Sequence, residues 1–133
     1  MNSLEDKMVK LLLDLKKNHK VVELKAEFET EAVRMNELMR LKEVADRAGL
    51  GLVIKIGGTE AITDMFEAQH IGVTGLIAPM IESSYSITKY LEAIQKHFSE
   101  DLRKSIHFGV NIETYQGFQN LTDILKIKNI KLI

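Results

Sequence analysis

Lys25, Glu27 and Glu29 alternate with Leu24, Ala26 and Phe28 in the run VVELKAEFE (21–29). A strand there puts the three charges on one face and the three apolar side chains on the other. The run IHFGVNIE (106–113) repeats the device, with Val110 and Ile112 on one face and Asn111 and Glu113 on the other. In GLVIKIGG (51–58), Lys55 sits between Ile54 and Ile56, just before Gly57-Gly58. Each charge lies near the carboxyl end of its run, the end at which parallel α/β folds bind ligands. One charge at a strand end is commonly solvated because the loop begins there. Charges at the same end of several strands ask for more, since buried ones must pair with each other, a metal or a ligand. Lys25 and Lys55 are placed to compensate Glu27 and Glu113, as a structural ion network or as the lining of a site for an acidic substrate.

Other patterns carry less chemistry. The backbone N–H groups of Gly57 and Gly58, ahead of a helical segment, offer an anion a cradle, or form a tight turn with Thr59 as N-cap. His19, His70, His97 and His107 lack metal-ligand spacing, and His107 falls at the start of its strand, so none is assigned a role. Met39, Met65 and Met80 read as core or near-core fillers. There is no phosphate-loop, dinucleotide or nucleophile-elbow motif.

These strands need elements to position them. Apolar residues recur at helical spacing in five stripes. They are Met8–Leu11–Leu12–Leu15, Met35–Leu38–Leu41–Ala45–Ala48, Ile62–Met65–Phe66, Ile87–Tyr90–Leu91–Ile94, and Phe118–Leu121–Ile124–Leu125. Ser3, with Asp6 three residues on, is the expected start of the first helix; Gly49 and Gly72 are expected stops. Strand-like runs fall between them at 21–29, 51–58, 74–82, 106–113 and 129–133. Unbroken alternation of strand and helix predicts a parallel sheet with helical crossovers. Two architectures fit: an open doubly wound five-stranded sheet, or about five of the eight strands of a TIM-type (β/α) barrel, which takes about 250 residues in full. The barrel is favoured because the strands carry polar residues at alternate positions and the chain ends on apolar strand residues. The whole of 1–133 reads as one domain, and pattern alone leaves both architectures open; the resemblance described below implies the amino-terminal portion of a barrel.

The bulk properties exclude several classes. Eighteen basic against nineteen acidic residues give no electrostatic reason for a nucleic-acid or anionic-membrane partner. The absence of cysteine removes disulfides and thiolate metal sites. No apolar run approaches a membrane span or a signal-peptide core, so a cytoplasmic protein is expected.

Three segments together resemble one family. IKIGGTEAITDM (54–65) is similar to a second-strand region in which a basic residue precedes a glycine turn. IGVTGLIAPMIESSYSITKYLEAI (71–94) contains P-M-ϕ-E-S, and VNIETYQGFQNLTDIL (110–125) contains I-E-T with a downstream Asn. Their order and spacing resemble those of the class II, metal-dependent pyruvate aldolases and citrate lyase beta subunits, over roughly 21–133. The resemblance implies a barrel enzyme that makes or breaks a carbon–carbon bond of a 2-oxoacid or acyl-thioester through a metal-stabilised enolate, with homo-oligomeric assembly. It implies Glu113 as a carboxylate ligand to Mg²⁺ or Mn²⁺ and Asn111 as a polar substrate contact. It further implies Lys55, where many members have arginine, as the cation for substrate carboxylate or enolate, and Glu27 as part of a polar network at the end of the first strand. Substrate contacts then comprise Lys55, Gly57, Gly58 and Glu27. Two departures stand out: Phe28 occupies the place of a histidine in the aldolase branch, and the family's second metal carboxylate falls beyond Ile133. The chain accordingly carries half a metal site. The competing readings are a catalytically incomplete barrel that acts as a structural or oligomerising fragment by edge pairing, and a small doubly wound binding or signalling domain.

Overall fold

A computed structural model describes residues 2–29 and 31–128, and the backbone of 131–132. Helix α1 (Ser3–His19) leads into β1 (Glu23–Glu27), α2 (Met35–Ala48), β2 (Gly51–Lys55), α3 (Ile62–Ile71) and β3 (Gly75–Ala78). Then follow α4 (Ser84–His97), α5 (Glu100–Ser105), β4 (His107–Val110), α6 (Tyr115–Gln119), α7 (Leu121–Ile124) and β5 (Lys131–Leu132). The strands are all parallel and lie in the order β1-β2-β3-β4-β5. A doubly wound sheet reverses direction at a switch point, whereas this order never does. The doubly wound alternative is thereby overturned, and the winding is that of consecutive βα units of a TIM-type barrel.

Register explains the two faces. Ala26, Leu52, Ile54, Leu76, Ala78 and Val110 point one way and join Leu38, Met65, Ile87, Tyr90 and Ile94 of the helices in the main apolar core. Tyr90 is buried and donates its hydroxyl hydrogen to the Leu76 carbonyl at 3.0 Å, pinning α4 to β3. Residues of the other parity form a second, polar face: Glu23, Lys25 and Glu27 on β1 stand level with Gly51, Val53 and Lys55 on β2. At the amino end of this face, Gly75 pairs with His107 in register, and a Cβ at Gly75 would lie 2.3 Å from His107 Nε2. The glycine leaves room for the imidazole to reach Glu23 Oε2 at 3.3 Å, while Thr74 Oγ1 donates to Glu23 Oε1 at 2.6 Å.

Helix ends follow the chemistry of their caps, with some corrections. Gly49 and Gly72 close α2 and α3 in the left-handed conformation, at φ 64° and 73°. The first helix is capped by Asn2 rather than Ser3. Its side chain accepts the Leu4 and Glu5 N–H groups, and Glu5 reaches back to the Asn2 N–H at 2.6 Å. Glu5 is long enough to do this and still take Arg40 Nε of α2 at 2.6 Å, which the shorter Asp6 would not. Thr59 caps nothing: α3 starts after Ala61, without a side-chain cap. The fifth stripe is two short helices, not one, because the chain breaks at Asn120; Phe118 (67% exposed) and Leu125 stay outside the core and only Ile124 is buried. Helix α5 has no counterpart among the five stripes: its six residues, capped by Ser99, hold one apolar side chain, Leu102, too few to show a period. In the last run, Asn129, Ile130 and Ile133 lie outside the described residues.

Candidate active site

The carboxyl ends of β1, β2 and β4 bring the charged residues together. Glu27 is only 8% exposed and accepts from both lysines: Lys25 Nζ on Oε1, and Lys55 Nζ on Oε2 at 2.9 Å. The backbone N–H of Glu27 is taken by Glu31 Oε2 at 3.2 Å. Lys25 is half exposed, whereas the Lys55 side chain is 14% exposed and is the inner member of the group. The hydrogen bond to Glu27 holds the Lys55 ammonium above the ordinary lysine pKa, against the effect of burial; the charges of Glu27, Glu113 and Glu31 add to it. The anticipated pairing of two lysines with Glu27 and Glu113 thus resolves into two lysines on Glu27 alone.

Glu113 is held by a different set. Its Oε1 accepts the backbone N–H of Met80 at 2.9 Å, and its Oε2 lies 3.4 Å from Asn111 Nδ2. Met80 adopts φ 48°, a left-handed conformation uncommon outside glycine, and its side chain is 60% exposed. That contradicts its reading as a core filler, as exposure of Met39 contradicts the same reading there; Met65 is fully buried as expected. A cavity of about 370 Å³ opens between these groups, lined by Glu29, Lys55, Gly57, Met80, Glu113 and Thr114 among others. Asn111 and Glu27 contact cavity-lining residues rather than being lining residues themselves. The Gly57 N–H, offered in the sequence to an anion, is donated to Asp64 Oδ2 at 2.8 Å, while a Cβ at Gly58 would meet nothing within 4 Å.

Two loops of the sequence resemblance interlock here. The segment Pro79-Met80-Ile81-Glu82-Ser83 donates the Ile81 N–H to the Asn111 carbonyl at 3.0 Å, besides the Met80 bond to Glu113. Asn120 Nδ2 returns to the Glu82 carbonyl at 2.7 Å. Gly117 is required for that approach, because a Cβ there would stand 2.4 Å from the Ile81 carbonyl oxygen. The sequence marks Asn120, the I-E-T run and the P-M-ϕ-E-S run that contains Met80, but not the backbone N–H that Met80 gives to Glu113, nor the parts played by Asp64, Glu31 and Gly117. Of these last three, Gly117 carries a usable signal, as a glycine at the head of a helical stripe. Among the described residues, no three His, Asp or Glu side chains converge closely enough to hold a metal ion unaided.

A singly wound parallel α/β structure with a lysine- and carboxylate-lined cavity at the carboxyl ends of its strands is of the TIM-barrel class. Among solved structures, the chain is similar to an HpcH/HpaI aldolase/citrate lyase family protein from Burkholderia cenocepacia J2315. The TM-score is 0.69 at 13% identity, over 99% of this chain and 68% of that one. It is also similar to the citrate synthase SbnG, with TM-score 0.65 at 14% identity over 93% of this chain and 55% of that one. A variant of that synthase gives 0.66 at 14% identity over 93% and 52%. The chain therefore spans about half to two thirds of the length of these proteins, and at such identities the likeness is one of fold. The first of them carries the family description that the three sequence segments resemble. No family model and no curated protein matches the sequence. No helix among the described residues is long and apolar enough to cross a membrane.

Proposed function

We propose that residues 1–133 form the amino-terminal portion of a (β/α) barrel and supply part of the active site of a divalent-metal-dependent carbon–carbon lyase, aldolase-like or citrate-lyase-like, acting on a 2-oxoacid or acyl-thioester. The observation that carries this reading is one cavity lined by both Glu113 and Lys55, each fixed by its own partners.

The donor chemistry suits Mg²⁺ or Mn²⁺. Glu113 presents hard carboxylate oxygens with lone pairs to spare after accepting from Met80 and Asn111, and Glu29 lines the same space. Such cations are commonly held by one or two carboxylates, with substrate and water completing the shell. When bound, the cation supplies Lewis acidity to the substrate oxygen on which negative charge develops.

The chain's own residues do the rest. Glu27 keeps Lys55 protonated, so Lys55 is a fixed cation for a substrate carboxylate or for enolate charge. An amine held charged is a poor Schiff-base nucleophile, which favours the metal-dependent over the lysine-dependent class of aldolase. Asn111 orients Glu113, and Glu27 acts by holding Lys55. A 2-oxoacid carboxylate that also uses the Gly57 N–H must displace Asp64. The proposed assembly is a homo-oligomer, with neither nucleic acid nor membrane as partner.

Thermal unfolding with Mn²⁺ and pyruvate or oxaloacetate tests the reading. A ligand set at 100 times its Kd adds about 2.7 kcal/mol, a shift of roughly ten degrees for a chain of this size. The expected shift needs both components; Glu113→Gln abolishes it together with Mn²⁺ binding, and Lys55→Met abolishes it while leaving the affinity for Mn²⁺ alone unchanged. Equal Mn²⁺ affinity in Glu113→Gln would falsify the ligand assignment. A cooperative transition that no combination shifts favours the structural or oligomerising fragment instead.

A further inference from the structure

Helix α1 has more apolar surface than its own fold uses. Leu12 is buried with Val44, Ala48 and Leu50 of the neighbouring helix and its exit, with Met8 and Val9 against the same cluster. The Glu5–Arg40 pair and the Lys16 Nζ bond to the Gly49 carbonyl, at 2.7 Å, fix the same side of the helix to α2 and its end. The helix therefore cannot roll to cover its other apolar residues. Besides Leu13, which is 47% exposed and stands apart from the others, those are Leu4 and Leu11, each 64% exposed, and Leu15, 38% exposed. With half-buried Met8 they run 4-8-11-15, the alternating four-and-three spacing of a coiled-coil seam, with Leu4 and Leu11 at d and Met8 and Leu15 at a.

We propose that this seam pairs with the same helix of a second copy, antiparallel, about a two-fold axis. The flanking charges choose the orientation. Beside the seam on the solvent side stand Lys7 and Asp14, one heptad apart at g positions. The e positions, Glu5 and Leu12, are buried inside the chain, so the g-to-e′ pairs of a parallel coiled coil have no partner. In the antiparallel arrangement g faces g′. Lys7 then meets Asp14 of the other copy, and the two-fold axis makes the contact twice. Asp14 is already oriented by Asn18 Nδ2 at 2.7 Å, and Lys7 has no ion-pair partner among the described residues. The antiparallel arrangement also opposes the two helix dipoles. A helix of 17 residues is about 25 Å long, so the seam is small and the dimer dissociates on dilution. This inference stands apart from the proposed chemistry, since α1 contributes nothing to the cavity.

Sedimentation velocity over a dilution series tests it. The unsubstituted chain shows a monomer–dimer equilibrium at high micromolar concentration, and Leu11→Gln is monomeric throughout. Leu13→Gln, an exposed leucine off the seam, leaves the equilibrium unchanged. Lys7→Asp and Asp14→Lys each weaken association about tenfold, and the two together restore it. Circular dichroism confirms that each variant folds as the parent does. A chain monomeric at every concentration overturns the proposal, as does a dimer indifferent to Leu11→Gln. Failure of the double charge exchange to restore association overturns the antiparallel pairing, and points to another segment of a longer protein as the occupant of the seam.

Discussion

At the scale of single residues, the Lys25–Glu27–Lys55 group is the feature on which the site depends. Glu27 is nearly buried, and its carboxylate is tolerable there because two ammonium groups compensate it. Losing Lys55 leaves that carboxylate to the half-exposed Lys25, so Lys55→Met is expected to cost about 3 kcal/mol, at the lower end for a broken buried pair. Paired with Glu27→Leu, the same substitution should cost far less, because no buried charge is then stranded. Urea unfolding of the two single variants and the double variant measures this coupling. Additive costs would show that the residues do not act as a pair. Which lysine serves which acid was beyond the reach of the sequence: alternation placed all of them on one face, but the choice depends on register. Glu27 lies level with Lys55, whereas Glu113 lies beyond the end of β4 and turns to the Met80 amide.

At the scale of elements, legibility followed length and capping. The stripe from Met35 to Ala48 corresponds to α2 residue for residue, since fourteen residues hold enough turns to show their period and Gly49 ends them. The stripe from Phe118 to Leu125 misled because its apolar spacing is helical while its geometry is set elsewhere. Asn120 leaves the helix to reach the Glu82 carbonyl, and Gly117 is held against the Ile81 carbonyl. The break in the helix is therefore part of how the loops after β3 and β4 dock, and docking is what places Glu113. Gly117→Ala should drive the two loops apart, costing about 1–3 kcal/mol by overpacking and weakening any Mn²⁺ response that depends on Glu113. Asn120→Ala should cost about 1 kcal/mol, the net value of one hydrogen bond. Amide chemical shifts of Met80 and Ile81 report the docking directly. Unchanged shifts in Gly117→Ala would separate the loops' contact from the glycine.

At the scale of the molecule, strand order was the property that alternation alone left open, because both candidate folds share the same sequence of elements. It became decidable only when each strand was seen beside its chain neighbour. The same packing makes alkaline stability a test of the whole structure. Burial pushes the Tyr90 phenol well above its ordinary value of 10.0, and the hydrogen bond to Glu27 raises Lys55 above 10.5. Both folded-state values lie above those of the unfolded chain, so both groups contribute stability that is complete below pH 10 and is lost as pH rises through the folded values. The two effects have one sign: Lys55 loses the charge that Glu27 requires, and Tyr90 would acquire a charge that the core cannot solvate. Glu5 acts at the other limit. Lowered by the Asn2 N–H and then Arg40, it contributes stability present above 4.5 and lost as pH falls through its folded value. Tyr90→Phe gives up the bond to Leu76, about 1 kcal/mol near neutrality. Above pH 10 it should flatten the decline by up to about 1.4 kcal/mol per pH unit, one proton's worth of linkage. Urea unfolding across the alkaline range reads both quantities. An equally steep decline in Tyr90→Phe would mean that ionisation of the buried phenol does not govern the alkaline loss of stability, and would leave Lys55 and the other amines to account for it.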